Sequence, residues 1–264
     1  MNPLSGFSAS ARAGVRYVLT DIDDTLTLEG RLVPEAFVAM ARLQAAGIRV
    51  VPITGRPAGW CDHIARMWPV EGVVGENGAM YFHYDTGARR MVRRYWKEDA
   101  QRAVDRRKLD ELAQRIPREV PGAKVASDQA YREADLAIDF CEDVPPLPRE
   151  AVLRIVALFE EAGAVAKISS IHVNGWFGDY DKLAMTRRFF SEVFSEDLEA
   201  LGEAVVFCGD SPNDAPMFAA FHHGVGVANI MAFRELLDAE PRWVTPSPGG
   251  LGFAELAEAL LEAR

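Results

Sequence analysis

Cysteine is scarce. The chain of 264 residues has three, Cys61, Cys141 and Cys208, far apart and without C-x-x-C spacing, which excludes a disulfide framework and a zinc site of the usual kind. A reducing, intracellular setting follows. No apolar run approaches the ~18 residues of a membrane span, and residues 1–14 lack the apolar stretch of a signal peptide. A cytoplasmic protein without membrane contact is expected. Low-complexity tracts are also absent, so disorder, collagen-like repeats and coiled coils are excluded. Positive charge is the minority: 29 Lys and Arg stand against 39 Asp and Glu, a net charge of −10, which argues against broad binding to nucleic acid. Residues 89–124 reverse the balance locally, with 12 basic side chains against 6 acidic. They read as a solvated amphipathic face, with attraction of an anionic substrate as the functional alternative.

What is present is an ordinary globular composition, 49% hydrophobic, on a chain long enough for one large core and a smaller domain. Residues 15–20 (VRYVLT) are an apolar run of the kind buried on both faces of a sheet. Pro34 opens a helix that Gly47 closes, and residues 48–54 (IRVVPIT) read as the next strand. Strand, helix, strand implies parallel pairing with a right-handed crossover. Pro52 sits awkwardly there, because proline donates nothing to a ladder. Further on, residues 81–84 and 91–96 flank a turn at Asp85-Thr86-Gly87 and read as a hairpin. Two helix-strand-strand units follow, over 97–141 and 148–176. From Asp181 the parallel pattern resumes, with a helix, an apolar strand at 204–208 and a small strand at 224–228. The fold class expected is α/β: a doubly wound, mostly parallel, Rossmann-like core formed by 1–84 and 179–264, with an α+β module inserted at 85–178.

Ligands of an open parallel sheet bind outside the carboxyl ends of its strands. Three predicted strand ends deliver polar groups to that edge: Asp21-Ile22-Asp23-Asp24-Thr25, Thr54-Gly55-Arg56, and Asp210 with Asn213 and Asp214. Carboxylates gathered there repel one another unless a cation sits among them, and an all-oxygen set suits Mg²⁺. Asp21 is placed to attack phosphorus and Asp23 to carry a proton to and from the reacting oxygens. Thr54, Gly55, Asn213 and Lys182 supply donors for phosphate oxygens.

Taken together these segments resemble the haloacid dehalogenase-like superfamily, and within it the subclass (IIB) of phosphatases whose cap is inserted between the second and third motifs. Asp21-x-Asp23-x-Thr25 looks like the first motif, Thr54-Gly55-Arg56 the second, Lys182 the third and Gly209-Asp210-x-x-Asn213-Asp214 the fourth. Gly75-Glu76-Asn77-Gly78-Ala79 is similar to a further segment of that subclass. The resemblance implies Asp21 as nucleophile, Asp23 as general acid and base, and Mg²⁺ held by Asp21, the Asp23 carbonyl, Asp210 and, through water, Asp214. It implies a Mg²⁺-dependent phosphatase acting on a small phosphorylated metabolite, with a sugar phosphate as the expected class; a phosphomutase, or a phospho-accepting signalling module, is the alternative. Two positions depart from the pattern: Asp24 and Leu183 stand where glycine is usual. Arg56 is a substrate contact or an exposed ion pair, and His172, Asn174 and Trp176, alternating on the last strand of the insert, are substrate contacts or simply a half-buried strand. Cys208 and the aromatics Phe189, Phe190 and Phe194 are assigned to the core. Oligomeric state is not legible.

Overall fold

The computed structural model describes residues 1–169 and 171–264. Six strands run parallel in the order Asn2–Pro3, Trp243–Val244, His223–Gly226, Val205–Gly209, Tyr17–Thr20, Arg49–Pro52. A parallel bridge between Ile53 and Val74 continues the sheet into Val73–Gly75, which then pairs antiparallel with Met80–Asp85, as that strand does with Arg90–Tyr95. Alternation along each strand sends Val18, Val50 and Val206 to one face, against Met40, Ile64 and Phe253 of three helices. Leu19, Val51 and Phe207 go to the other face, against Met185, Phe189 and Phe218. Both faces are covered, as a parallel sheet requires. The α/β, doubly wound expectation is what the structure shows.

Pro52 fits because of where its missing donor would point. The neighbouring Ile53 N–H donates to Thr20 O at 2.8 Å, so the odd-numbered amides face the Tyr17–Thr20 strand. The nitrogen of Pro52 faces the other side, at the end of its strand, where pairing with Val74 is only beginning. No ladder bond toward the central strand is lost.

The inserted part forms a second, antiparallel sheet in the order Val165–Ile168, His172–Trp176, Leu136–Asp139, Lys124–Val125. Helices Asp99–Glu119 and Arg149–Glu161 cover one face, where Leu112, Ile116, Ile155 and Phe159 pack on Leu136, Ile138 and Val173. Alternate residues of these strands, His172 and Asn174 among them, turn to the opposite face and line a cavity with Asp21. Within the basic stretch at 89–124, Arg93 pairs with Asp62, Lys97 with Asp105, Arg102 with Asp99 and Arg115 with Glu119 and Glu161. Among the described residues no helix is long and apolar enough to cross a membrane.

Gly175 lies against the Phe159 ring, and a Cβ there would meet ring carbons at 2.2 Å. Gly175→Ala is therefore expected to destabilise the protein by about 1–3 kcal/mol through overpacking. Urea denaturation measures this directly, and an unchanged midpoint would show the contact to be looser than described.

Candidate active site

The strand Tyr17–Thr20 hands the chain to Asp21, whose N–H donates to Cys208 O at 2.9 Å, so the two acidic strand ends are stitched side by side. Gly209 then makes room: a Cβ at this position would fall 2.5 Å from Asp214 Oδ2. With that space open, Asp214 turns back to accept from the N–H of Asp210 at 3.2 Å. Thr25 Oγ1 donates to Asp210 Oδ1 at 2.8 Å, which is the structural work of the threonine in the first acidic segment. Asp21, Asp210 and Asp214 are 5%, 1% and 0% exposed, and each offers an oxygen within 4.8 Å of the others.

Lys182 reaches this group from the first position of the helix Lys182–Phe189. Asp181 caps that helix, accepting from Ala184 N at 2.7 Å. The preceding turn packs so closely on Gly78 (φ 102°) that a Cβ there would stand 2.0 Å from Asp181 O. The Gly-Glu-Asn-Gly-Ala segment thereby sets the lysine's height. Its Nζ donates to Asp21 Oδ1 at 2.8 Å and to Asp214 Oδ1 at 2.9 Å. Burial pulls the ammonium toward its neutral form, but the two carboxylates outweigh that and hold its pKa above the usual lysine value. Burial pushes Asp21 up to about 7, with Lys182 opposing and Asp214 and Asp23 adding to it. Asp210 is raised by burial, Asp214 and Asp21. One ammonium among three buried carboxylates leaves an excess of negative charge on hard oxygen donors, a set that fits a small divalent cation.

Asp23 meets Arg56 through both carboxylate oxygens, with Nε at 2.9 and 3.1 Å. Arg56 is 5% exposed, so the ion pair, one of its two expected readings, is buried and not exposed. Its Nη2 also donates to Glu142 Oε1 of the insert at 3.0 Å, and its guanidinium lies 4.5 Å from the Trp60 ring centre. His172 Nε2 stands 2.9 Å from Glu142 Oε2, off the angle of a hydrogen bond.

A cavity of about 20 Å³ lies between the sheet edge and the insert, lined by Asp21, Asp23, Gly55, Arg56, Asn213, His172 and Asn174 among others; that is on the order of one water. Lys182, Asp210 and Asp214 lie beneath Asp21 rather than on this wall. Thr54 is fully buried, its hydroxyl accepting from Arg56 N at 3.0 Å. Asn213 faces the cavity and accepts from Ser211 Oγ at 2.7 Å. Trp176 is placed elsewhere, stacked on Tyr180 with its indole N–H donating to Tyr180 O, because the strand's end is swallowed by the core. Asp24 adopts φ 56°, the left-handed region that makes glycine usual there and that aspartate tolerates.

Four residues went unread in the sequence. Asn229 donates to Asp24 O at 3.0 Å, approaches Asp210 Oδ2 at 3.4 Å and accepts from Gly249 N at 3.0 Å; it follows a parallel strand, so the strand-end rule would have flagged it. Arg132 and Asp135, paired at 3.1 Å in a polar turn, carry no such signal, nor does Glu142.

The fold and this pocket define an enzyme of the doubly wound α/β class with a carboxylate centre under an inserted sheet. Residues 18–113 match the haloacid dehalogenase-like hydrolases. Over 255 residues, 94% of this chain and 96% of the relative, the chain is 31% identical to a phosphoglycolate phosphatase of Pyrobaculum neutrophilum. The chain belongs to the haloacid dehalogenase-like hydrolases. Its fold is shared with protein 0175 of Thermoplasma acidophilum (TM-score 0.71, 17% identity, 95% of this chain and 99% of that one). It is shared too with the sucrose-phosphatase of Synechocystis sp. PCC6803, solved with sucrose and phosphate (TM-score 0.63, 14% identity, 92% and 97% covered).

His172 and the Arg56 guanidinium outweigh burial and hold the Glu142 carboxyl down to about 2, below the ordinary glutamate value of 4.5. A carboxylate with a depressed folded pKa stabilises the fold above its unfolded value, and that contribution is lost as the pH falls through the folded one. The difference in melting temperature between the native protein and Glu142→Gln should therefore narrow between pH 5 and about pH 2. A constant difference across that window would show that Glu142 is not held by these partners.

Proposed function

We propose that this enzyme, a phosphatase of the haloacid dehalogenase-like family, hydrolyses a small phosphate monoester through a phosphoryl group carried on Asp21. The observation that supports this most is the Lys182 ammonium, 2.8 Å from Asp21 and 2.9 Å from Asp214 at the carboxyl edge of the parallel sheet. Lys182 occupies Asp21 Oδ1, and the second oxygen is the nucleophile. It forms a bond to phosphorus as the bond from phosphorus to the leaving oxygen breaks, and Asp23 gives that oxygen a proton. Asp23 then takes a proton from water, whose oxygen attacks phosphorus. The bond from phosphorus to Asp21 breaks, releasing inorganic phosphate and restoring the carboxylate.

Throughout, Arg56 keeps the Asp23 side chain oriented, and the Gly55 backbone and Asn213 amide hold phosphate oxygens. Mg²⁺, held by Asp21, the Asp23 carbonyl, Asp210 and, through water, Asp214, would supply neutralisation of the phosphate's charge. A proton carrier separate from the nucleophile favours hydrolysis over mere phospho-acceptance.

The division of labour is also proposed. Strand Arg90–Tyr95 pairs with Met80–Asp85, so the moving part is drawn from about residue 97, past the hairpin tip at 85, to about 178. With so little free space beneath it, the insert must swing aside to admit substrate. The substrate class proposed is a small phosphate ester, a sugar phosphate or phosphoglycolate, in keeping with the names of the Synechocystis and Pyrobaculum relatives.

A panel of p-nitrophenyl phosphate, phosphoglycolate and hexose phosphates, assayed with Mg²⁺ and with EDTA, tests the reading. Native protein should release inorganic phosphate only with the metal, and Asp21→Asn should lose at least about 10³-fold in rate, the scale of a missing covalent nucleophile. Equal rates for the two proteins would remove Asp21 from that role, and return of phosphate to the sugar would mark a mutase.

A further inference from the structure

Glu76 is the one acidic member of the Gly-Glu-Asn-Gly-Ala segment, and nothing in the reaction uses it. It is fully buried, with its backbone at φ 43°. Its carboxylate accepts from Ala58 N at 2.9 Å, at the start of a core helix, and from three successive amides of the insert: Glu133 N at 2.8 Å, Ala134 N at 2.6 Å and Asp135 N at 3.0 Å. A core side chain thus grips the insert by its backbone. The insert returns the grip one residue earlier, where Arg132 donates to Gly55 O at 2.9 Å, in the candidate phosphate loop. Arg132 is itself locked by Asp135 at 3.1 Å, and the same Asp135 accepts from Asn174 Nδ2 at 3.1 Å on the cavity wall.

We infer that Glu76 is a positioning residue: by holding the amides of residues 133–135 it seats Arg132 and Asp135, and through them fixes the Gly55 loop and Asn174 above Asp21. Four N–H groups converging on one carboxylate are a strong and directional arrangement, because each bond to an ionised acceptor is about twice as strong as a neutral one. A carboxamide in its place turns two of its own N–H donors toward those amides and cannot accept them all. The inference rests on the reading of the Asp21 pocket as the phosphatase site.

The test compares native protein, Glu76→Gln, Glu76→Asp and Asp21→Asn with p-nitrophenyl phosphate and Mg²⁺, together with amide hydrogen exchange. Glu76→Gln should lower kcat by about 10²-fold, the cost of a misplacement near 1 Å, while KM moves less than about threefold. Exchange should accelerate at residues 133–135 and stay unchanged in the strand Tyr17–Thr20, and Glu76→Asp, which keeps the acceptor, should recover part of kcat. Native kcat in Glu76→Gln, or a fall in kcat without faster exchange at 133–135, overturns the inference. If Glu76→Gln fails to fold, Arg132→Gln cuts the link to Gly55 from the other side, and native kcat there overturns it equally. Undiminished activity in Asp21→Asn would instead sink the catalytic reading, while the exchange result still reports on Glu76.

Discussion

An ammonium buried between two carboxylates governs how the rest of this molecule is arranged. Asp21 and Asp214 come from different loops at neighbouring strand ends, and without Lys182 they would face each other at close range in a poorly polarisable interior. Breaking such a buried pair typically costs about 3–5 kcal/mol. The pair meets the sheet edge alongside the helix's apolar face, Met185 and Phe189. It relies on the close packing of Asp181 on Gly78 and on the open side of Gly209 that lets Asp214 fold back.

Around that centre, paired charges cross between sheet and insert. Arg56 binds Asp23 on its own side and Glu142 across the gap, and Arg132 is held by Asp128, Asp135 and a core carbonyl. A seam of paired charges differs from an apolar one in that its parts can separate and find water, so closure need not be permanent. Leu112, Ile116, Ile155 and Phe159 of the insert turn inward to its own sheet, while Trp176 packs into the core.

Much of this was legible because it is local. Apolar runs ended by acids marked the parallel strands, and Asp21, Asp210 and Asp214 stand where strand-end logic put them. The Thr25 hydroxyl on Asp210 and the left-handed Asp24 are consequences of a short segment whose pattern alone identified it. What Glu76 holds was not legible, because its partners are backbone amides of distant segments, which leave no trace in residue identity, and the polar turn of Arg132 and Asp135 gave no sign of its links to Gly55 and Asn174. In the sequence Arg56 stands between a substrate contact and an exposed ion pair for a similar reason: its burial is set by Glu142 and Trp60, far away in sequence or across a turn. Pro52 looked wrong only until the side of the ladder it faces was known.

The insert's interior is a cluster of its own, built from Leu109, Ile116, Ile155, Phe159 and Val173, and it shares no residue with the two clusters that flank the parallel sheet. Substitutions inside that cluster can therefore change the insert's own packing without entering the two clusters around the sheet. In a lineage that meets new metabolites, such independence would let the insert's interior diverge while the packing of the parallel sheet stays as it is.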